Sequence, residues 1–311
     1  MIVDNSLCVS SRFGERKEVH KMGLLDKNYE VIKDCPKELE WNEYYQIVEN
    51  EYHSLLEDNS NNERIFQDFF ECNPSLLPGG MELFGQSGHY PHMSALITQP
   101  TLGTDLARKP DFLWLAQDSL TFCPVFIEIE SPHKVMFTGS NIPSAEFNQA
   151  LNQIDEWRML LNKPINQMAL MDRYNIPVRI RDKVFEPQFL LIYGRRSEYE
   201  NNEYLRNLRK QKENNRVSIM SYDRLHPLAD YRQFITCRVK NKQYEVVAIP
   251  PTFRYIAGEA EVLYKWKGFL EKIDYMKNTT VERKKFLKER YDYWMSFKGN
   301  PPGIIEGMEG E

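Results

Sequence analysis

No stretch of this sequence is apolar for long enough to cross a membrane, and its first residues lack the apolar core of a signal peptide. A soluble, cytoplasmic protein with no membrane partner is expected. No Cys-x-x-Cys pair occurs. The five cysteines, Cys8, Cys35, Cys72, Cys123 and Cys237, are odd in number and scattered, which argues against a disulfide framework or a zinc site and for free thiols. There is no glycine-rich phosphate loop, so neither a nucleotide cofactor nor a fused ATPase is expected. No motif surrounds a serine or cysteine nucleophile, and no internal repeat is visible. Positive charge is also lacking overall. The net charge is -5, so nothing global draws the chain to nucleic acid, and contacts to phosphate would need locally placed Lys and Arg.

What is present is enough apolar material for a core: 41% of 311 residues, with 13% aromatic. Helical spacing runs from Trp41 to Leu56. A second helix, capped by Asn61 or Asn62, carries Ile65, Phe66, Phe69 and Phe70, and ends at Asn73-Pro74. Asp111–Leu115 and Pro124–Glu130 read as strands joined through a turn at Asp118-Ser119. Ser144 or its neighbours open a helix to Leu161. A strand at Gln188–Tyr193, a charged helix over about 201–214 and a strand at Val217–Met220 follow. This order suggests an α/β core. A strand-like patch at Tyr29–Ile32, a hairpin around Asn241-Lys242, and a last helix opened by a capping box at Thr279–Glu282 lie outside it. The Pro/Gly-rich tail after Gly299 is expected to be disordered. The expected division is an N-terminal arm and helix (1–55), an enzymatic domain (56–229) and a C-terminal accessory region (230–311).

The chemistry is expected at the hairpin. A turn at Asp118–Leu120 would set Asp111 opposite Glu128. Strand alternation would put Glu128 and Glu130 on one face, with Ile127 and Ile129 on the other. Crowded carboxylates raise one another's pKa unless a cation intervenes. An all-oxygen ligand set favours Mg²⁺, with Mn²⁺ as an alternative, over zinc. Such an ion at a scissile phosphate would promote phosphodiester hydrolysis. The competing reading is a set of acids on a solvated sheet face, but two glutamates inside Val-Phe-Ile-Glu-Ile-Glu demand a reason.

Pro110-Asp111 followed by Glu128-Ile129-Glu130 resembles the PD-(D/E)XK nuclease motif, and Gln153-Ile-Asp-Glu-Trp157 resembles the Gln-x-x-x-Tyr motif of its RecB-like branch. The context is similar to the Shedu antiphage nuclease domain over about residues 60–228: Glu63-Arg-Ile-Phe-Gln67, Asn73-Pro74, Phe189-Leu-Leu-Ile-Tyr-Gly194 and Ile219-Met-Ser-Tyr-Asp-Arg-Leu225. The resemblance implies a restriction-endonuclease-like core, a central mixed sheet flanked by helices. It also implies a homo-oligomeric, metal-dependent DNA endonuclease of antiphage defence, with double-stranded DNA the expected substrate. By the same analogy Asp111 and Glu128 are metal ligands, Glu63 is an extra acid, and Gln153 orients a phosphate, a ligand or the catalytic strand. Glu130 stands where the family has Lys, as ligand or base. Lys134, four residues on, is placed to restore the missing positive charge.

Other groups weigh less. His89-Tyr-Pro-His92 lacks a third ligand, and His133 reads as a loop residue. The stretch with Arg195, Arg196, Arg206, Arg209, Lys210, Lys212 and Arg216 is either a DNA track or a solvated face interleaved with acids. The basic last helix reads as a packing or oligomerisation element first. Two rivals remain: a catalytically degenerate nuclease-fold protein that binds DNA or supports assembly, and a glycoside hydrolase. The second would need its carboxyl groups about 5 or 7–9 Å apart across a sugar cleft.

Overall fold

The structure, a computed structural model, describes residues 28–58, 62–81, 89–104, 109–298 and 310–311. Cys8, Asn61 as a capping residue, most of the N-terminal arm and the tail at 299–309 lie outside the described residues.

The strands are β1 (Ala95–Thr98), β2 (Phe112–Gln117), β3 (Thr121–Ile129), β4 (Val184–Phe185), β5 (Gln188–Ile192), β6 (Val217–Met220), β7 (Ile235–Lys240), β8 (Gln243–Ala248) and β9 (Trp266–Lys267). The helices are α1 (Trp41–Glu57), α2 (Glu63–Cys72), α3 (Ala145–Leu161), α4 (Pro164–Arg173), α5 (Val178–Arg181), α6 (Glu203–Gln211), α7 (Ala257–Leu263), α8 (Phe269–Ile273) and α9 (Val281–Met295). The nine strands of the described residues join one mixed sheet in the order β6-β5-β3-β2-β1-β7-β8-β9, with β4 pairing on β3. The α/β expectation holds, with helices covering both faces.

Strand alternation explains the layering. In β3 the residues Cys123, Val125, Ile127 and Ile129 pack on one face with Tyr44 and Val48 of α1 and Phe66 and Phe70 of α2. Phe122 and Phe126 pack on the other with Phe147, Ile154 and Trp157 of α3. A strand buried on both faces explains the nearly continuous apolar run. Asn62 caps α2 by accepting from Arg64 N, and Ser144 caps α3 by accepting from Phe147 N.

Three local expectations are corrected. Tyr29–Ile32 is not a strand: Glu30 N donates to the Tyr293 hydroxyl and Ile32 N to Glu311 Oε2, so side chains take the amides that a neighbouring strand would need. Thr280, not Thr279, caps α9 by accepting from Arg283 N, while the Thr279 hydroxyl turns to Lys277 O. The charged helix is shorter than 201–214, starting at Glu203 behind the Asn202 cap. The C-terminal hairpin β7–β8 continues the central sheet, since β7 lies parallel to β1 with Ile97 opposite Cys237.

Helix α9 is pinned by Arg283, whose fully buried guanidinium donates to Pro36 O and Phe253 O, each at 2.9 Å. Removing it strands two carbonyls in the interior. Arg283→Met should therefore cost about 2–4 kcal/mol, read as a lower urea midpoint with an unchanged slope. A midpoint within error of the parent would mean that water replaces the guanidinium.

Candidate metal centre

The hairpin closes as its turn chemistry requires. Asp118 N donates to Thr121 O, and Asp118 Oδ1 accepts from Leu120 N at 2.8 Å and Thr121 N at 2.6 Å. That turn sets the register Gln117↔Phe122 through Phe112↔Ile127, so the next step brings Asp111 opposite Glu128. Asp111 N donates to Ile127 O at 3.1 Å, and Asp111 Oδ2 accepts from Ile129 N at 2.8 Å. Asp111 shares the parity of Leu113 and Leu115, and Glu128 that of Phe126, and these three apolar residues pack in one core cluster with Phe147, Ile154 and Trp157 of α3.

The remaining pieces come from four different elements. Gln153 of α3 donates from Nε2 to Glu128 Oε1 at 2.7 Å. Glu130 leaves the end of β3, held by Glu130 N to Ile192 O and by the Tyr222 hydroxyl to Glu130 O. The turn after it, closed by Lys134 N to Ser131 O, carries Lys134 back so that its ammonium pairs with Glu130 Oε2. Glu63 is the first residue of α2. Its carboxyl lies within the fields of Glu130 and Lys134. All six residues singled out in the sequence thus meet at the C-terminal end of β3.

Crowding and burial set the electrostatics. Asp111 is pushed up to about 7, first by loss of solvation and then by the negative fields of Glu63 and Glu130, against the pull of the Ile129 amide. Glu128 is raised well above the usual range, first by burial and then by Asp111, Glu130 and Glu63. The two carboxyls also act on one another, lifting Glu128 and lowering Asp111. Glu63 is raised by burial and then by Glu130. Desolvation works against the charge on Lys134, but its bond to Glu130 and the surrounding acids outweigh it and raise its pKa. Glu128 Oε2 is buried and has no hydrogen-bond partner among the described residues. An orphaned carboxylate oxygen inside a cluster of acids is a position that a cation would suit.

Among the described residues, no three His, Cys, Asp or Glu side chains form a ready-made metal cage. That pattern still suits magnesium, which commonly takes one or two carboxylates and fills its shell with water and substrate phosphate. Asp111 and Glu128 are the fitting pair, since Glu130 is already engaged by Lys134.

The other sequence candidates stand elsewhere. His133 Nε2 contacts Asp58 O, and His89 Nε2 contacts Ser119 Oγ, so neither reaches the acids. Arg195 pairs with Asp223 at 2.8 Å, Arg209 with Glu213, and Lys210 with Glu213. Those cations are committed to holding α6 and its flanking loop. In α9, Lys288 pairs with Asp274 and Arg290 with Glu311, as suits a packing element. Tyr222 was missed as a site residue. It is fully buried beneath the cluster, within the fields of Asp111, Glu63 and Glu130, and supports Glu130 through its hydroxyl. Its place in Ile219–Leu225, one of the stretches carrying the resemblance, was the available signal.

Against known proteins, the family model described as Shedu protein SduA, C-terminal, matches residues 60–226, a span that runs from just before Glu63 to just past Tyr222. No curated protein and no solved structure matches. Among the described residues, no helix is long and apolar enough to cross a membrane.

Proposed function

The chain belongs to the Shedu family, and from that premise we propose that it is a divalent-metal-dependent DNA endonuclease of antiphage defence, built on a PD-(D/E)XK core. The observation carrying this reading is the orphaned Glu128 Oε2 in a cluster with Asp111, Glu63 and Glu130. Asp111 and Glu128 would hold Mg²⁺ or Mn²⁺, which would supply charge neutralisation at the phosphate and a more acidic water.

The protein's own groups have distinct tasks. Gln153 fixes the orientation of Glu128 by occupying Oε1, which leaves Oε2 to face the ion. Glu130 does not replace the family's Lys chemically. It holds Lys134, whose ammonium then supplies positive charge at the same end of β3. Glu63 completes the negative cradle from the other side. We place double-stranded DNA as substrate and a homo-oligomer as the working form by family analogy.

A second reading, a degenerate member that binds DNA or supports assembly without cutting it, has one observation in its favour: the described residues form no ready-made cage. Incubation of purified protein with supercoiled plasmid separates the two. The nuclease reading expects nicking with Mg²⁺ or Mn²⁺ that EDTA abolishes. Intact plasmid under both conditions, with no Mn²⁺ heat on calorimetric titration, would favour the degenerate reading. Lys134→Ala should lower the cutting rate about 10–100-fold, and Lys134→Arg should restore part of it, because the needed element is a placed cation. Equal rates for Lys134→Ala and the parent would remove Lys134 from the site.

A further inference from the structure

A cavity of about 630 Å³ lies at the β8–β9 edge of the sheet and shares no lining residue with the acidic cluster. Its volume is in the range of sites for small organic ligands. Lys242, Lys265 and Lys267 line it against a single acid, Glu271. None of the three lysines forms a salt bridge with a described residue; Lys267 donates instead to the neutral Gln243 Oε1 at 3.2 Å. Lys265 is partly withdrawn from water, and this desolvation, with the nearby charge of Arg179, disfavours its ammonium despite the field of Glu261. A cation held in that situation gains from an incoming anion.

The wall beside it is polar where a core would be apolar. His92 is only 8% exposed, and its Nε2 has no hydrogen-bond partner among the described residues. Burial, then Lys265 and Arg179, push its pKa down to about 3, so the imidazole is neutral and offers one unmet donor or acceptor. The backbone next to it is strained: Met93 and Ser94 take φ of 73° and 47°, and Trp266 Nε1 holds Met93 O at 3.2 Å. Tyr264 presents a half-exposed ring with the Lys265 and Lys298 ammonium groups 5.6 Å and 4.9 Å from its centre.

Lysines without a salt bridge to a described residue, a partly exposed tyrosine ring and a buried imidazole nitrogen with no hydrogen-bond partner among the described residues match the needs of a nucleotide's phosphates, base and polar edge. We propose that this cavity binds a nucleotide, with its phosphates on Lys242 and Lys265, its base against Tyr264, and a polar atom of the ligand on His92 Nε2. The chain has no glycine-rich loop, so side chains rather than backbone amides carry the phosphate recognition. The site would give this chain a small-molecule input physically separate from its acidic centre.

The test is calorimetric titration of the full chain with ATP in EDTA at about 0.1 M salt, so that neither a metal at the acidic cluster nor full charge screening intervenes. Saturable binding is expected. Lys265→Ala and Tyr264→Ala should each weaken it about tenfold or more, while Asp111→Asn leaves it unchanged. Both substituted side chains reach solvent, and an unchanged melting temperature will separate loss of binding from loss of fold. Inorganic triphosphate should bind at least about tenfold more weakly than ATP, since it lacks a base to stack. No saturable heat up to millimolar ATP, equal affinity in Lys265→Ala, or inorganic triphosphate binding as well as ATP would each overturn the proposal.

Discussion

Asp111→Asn protein is expected to fold, to bind DNA, and to cut it on the order of 10³-fold more slowly or worse. The substitution is nearly isosteric. The amide oxygen of Asn can still accept from Ile129 N, the bond that now fixes Asp111 Oδ2 at 2.8 Å, so the strand end keeps its anchor. What disappears is one of the two negative charges in position to hold a cation. Glu128→Gln should behave the same way, because its amide oxygen can still receive the Gln153 amide now 2.7 Å from Oε1. Alanine at either position would confuse lost chemistry with a lost hydrogen bond, which makes the amide variants the cleaner pair. Plasmid-nicking rates and gel-shift affinities, measured on the same preparations, decide the matter. Cutting by Asp111→Asn within about tenfold of the parent would remove Asp111 from the chemistry.

A second large effect concerns stability. Asp111 and Glu128 are both raised in the folded protein above their ordinary values, Asp111 to about 7, chiefly by burial and then by neighbouring acids. The sign of the linkage follows. Below the unfolded carboxylate pKa both states are protonated and the cluster costs nothing. As pH rises from about 4 to about 7, the unfolded chain gives up protons that the fold retains, so the folded state becomes progressively less favoured. The metal-free protein should therefore melt at lower temperature at pH 8 than at pH 5 to the extent that this cluster dominates. A divalent ion reverses the penalty by binding only the folded form. At an Mg²⁺ or Mn²⁺ concentration about a hundredfold above the dissociation constant, the gain is about 2.7 kcal/mol, or roughly 4 °C for a chain of this size. Asp111→Asn relieves part of the repulsion, so its metal-free form should melt higher than the parent at pH 8 and respond little to the ion. Thermal unfolding by circular dichroism at the two pH values, with and without Mn²⁺, measures all of this. An equal Mn²⁺ shift in parent and variant would place the ion elsewhere.

The acidic hairpin was legible in the sequence because everything that builds it is local. The Asp118 turn fixes the register, alternation fixes the faces, and two glutamates interrupt an apolar run that has no other use for them. Glu63 reaches the cluster from a helix on the opposite face of the sheet, so nothing local connects it to Glu128, and only the family resemblance pointed to it. The return of Lys134 depends on the turn at Ser131, whose direction a Ser-Pro pair does not dictate. The sheet itself is wider than local patterns suggest, because β1 and β7 pair across some 140 residues of sequence and no periodicity encodes a partner. Short helices such as α5, α7 and α8 form through burial against finished neighbours rather than through propensity. The His92 cavity was invisible for the same reason. His89 and His92 are neighbours in sequence, whereas the fold turns one toward Ser119 and buries the other beside Lys265.

Diffraction from Mn²⁺-soaked crystals, collected at a wavelength where manganese scatters anomalously, asks the deciding question of the acidic cluster. A peak about 2.2 Å from both an Asp111 oxygen and Glu128 Oε2, absent from Asp111→Asn crystals, is the expected result. Well-ordered crystals with no peak there, and with Glu128 Oε2 taken up by a protein donor, would contradict it.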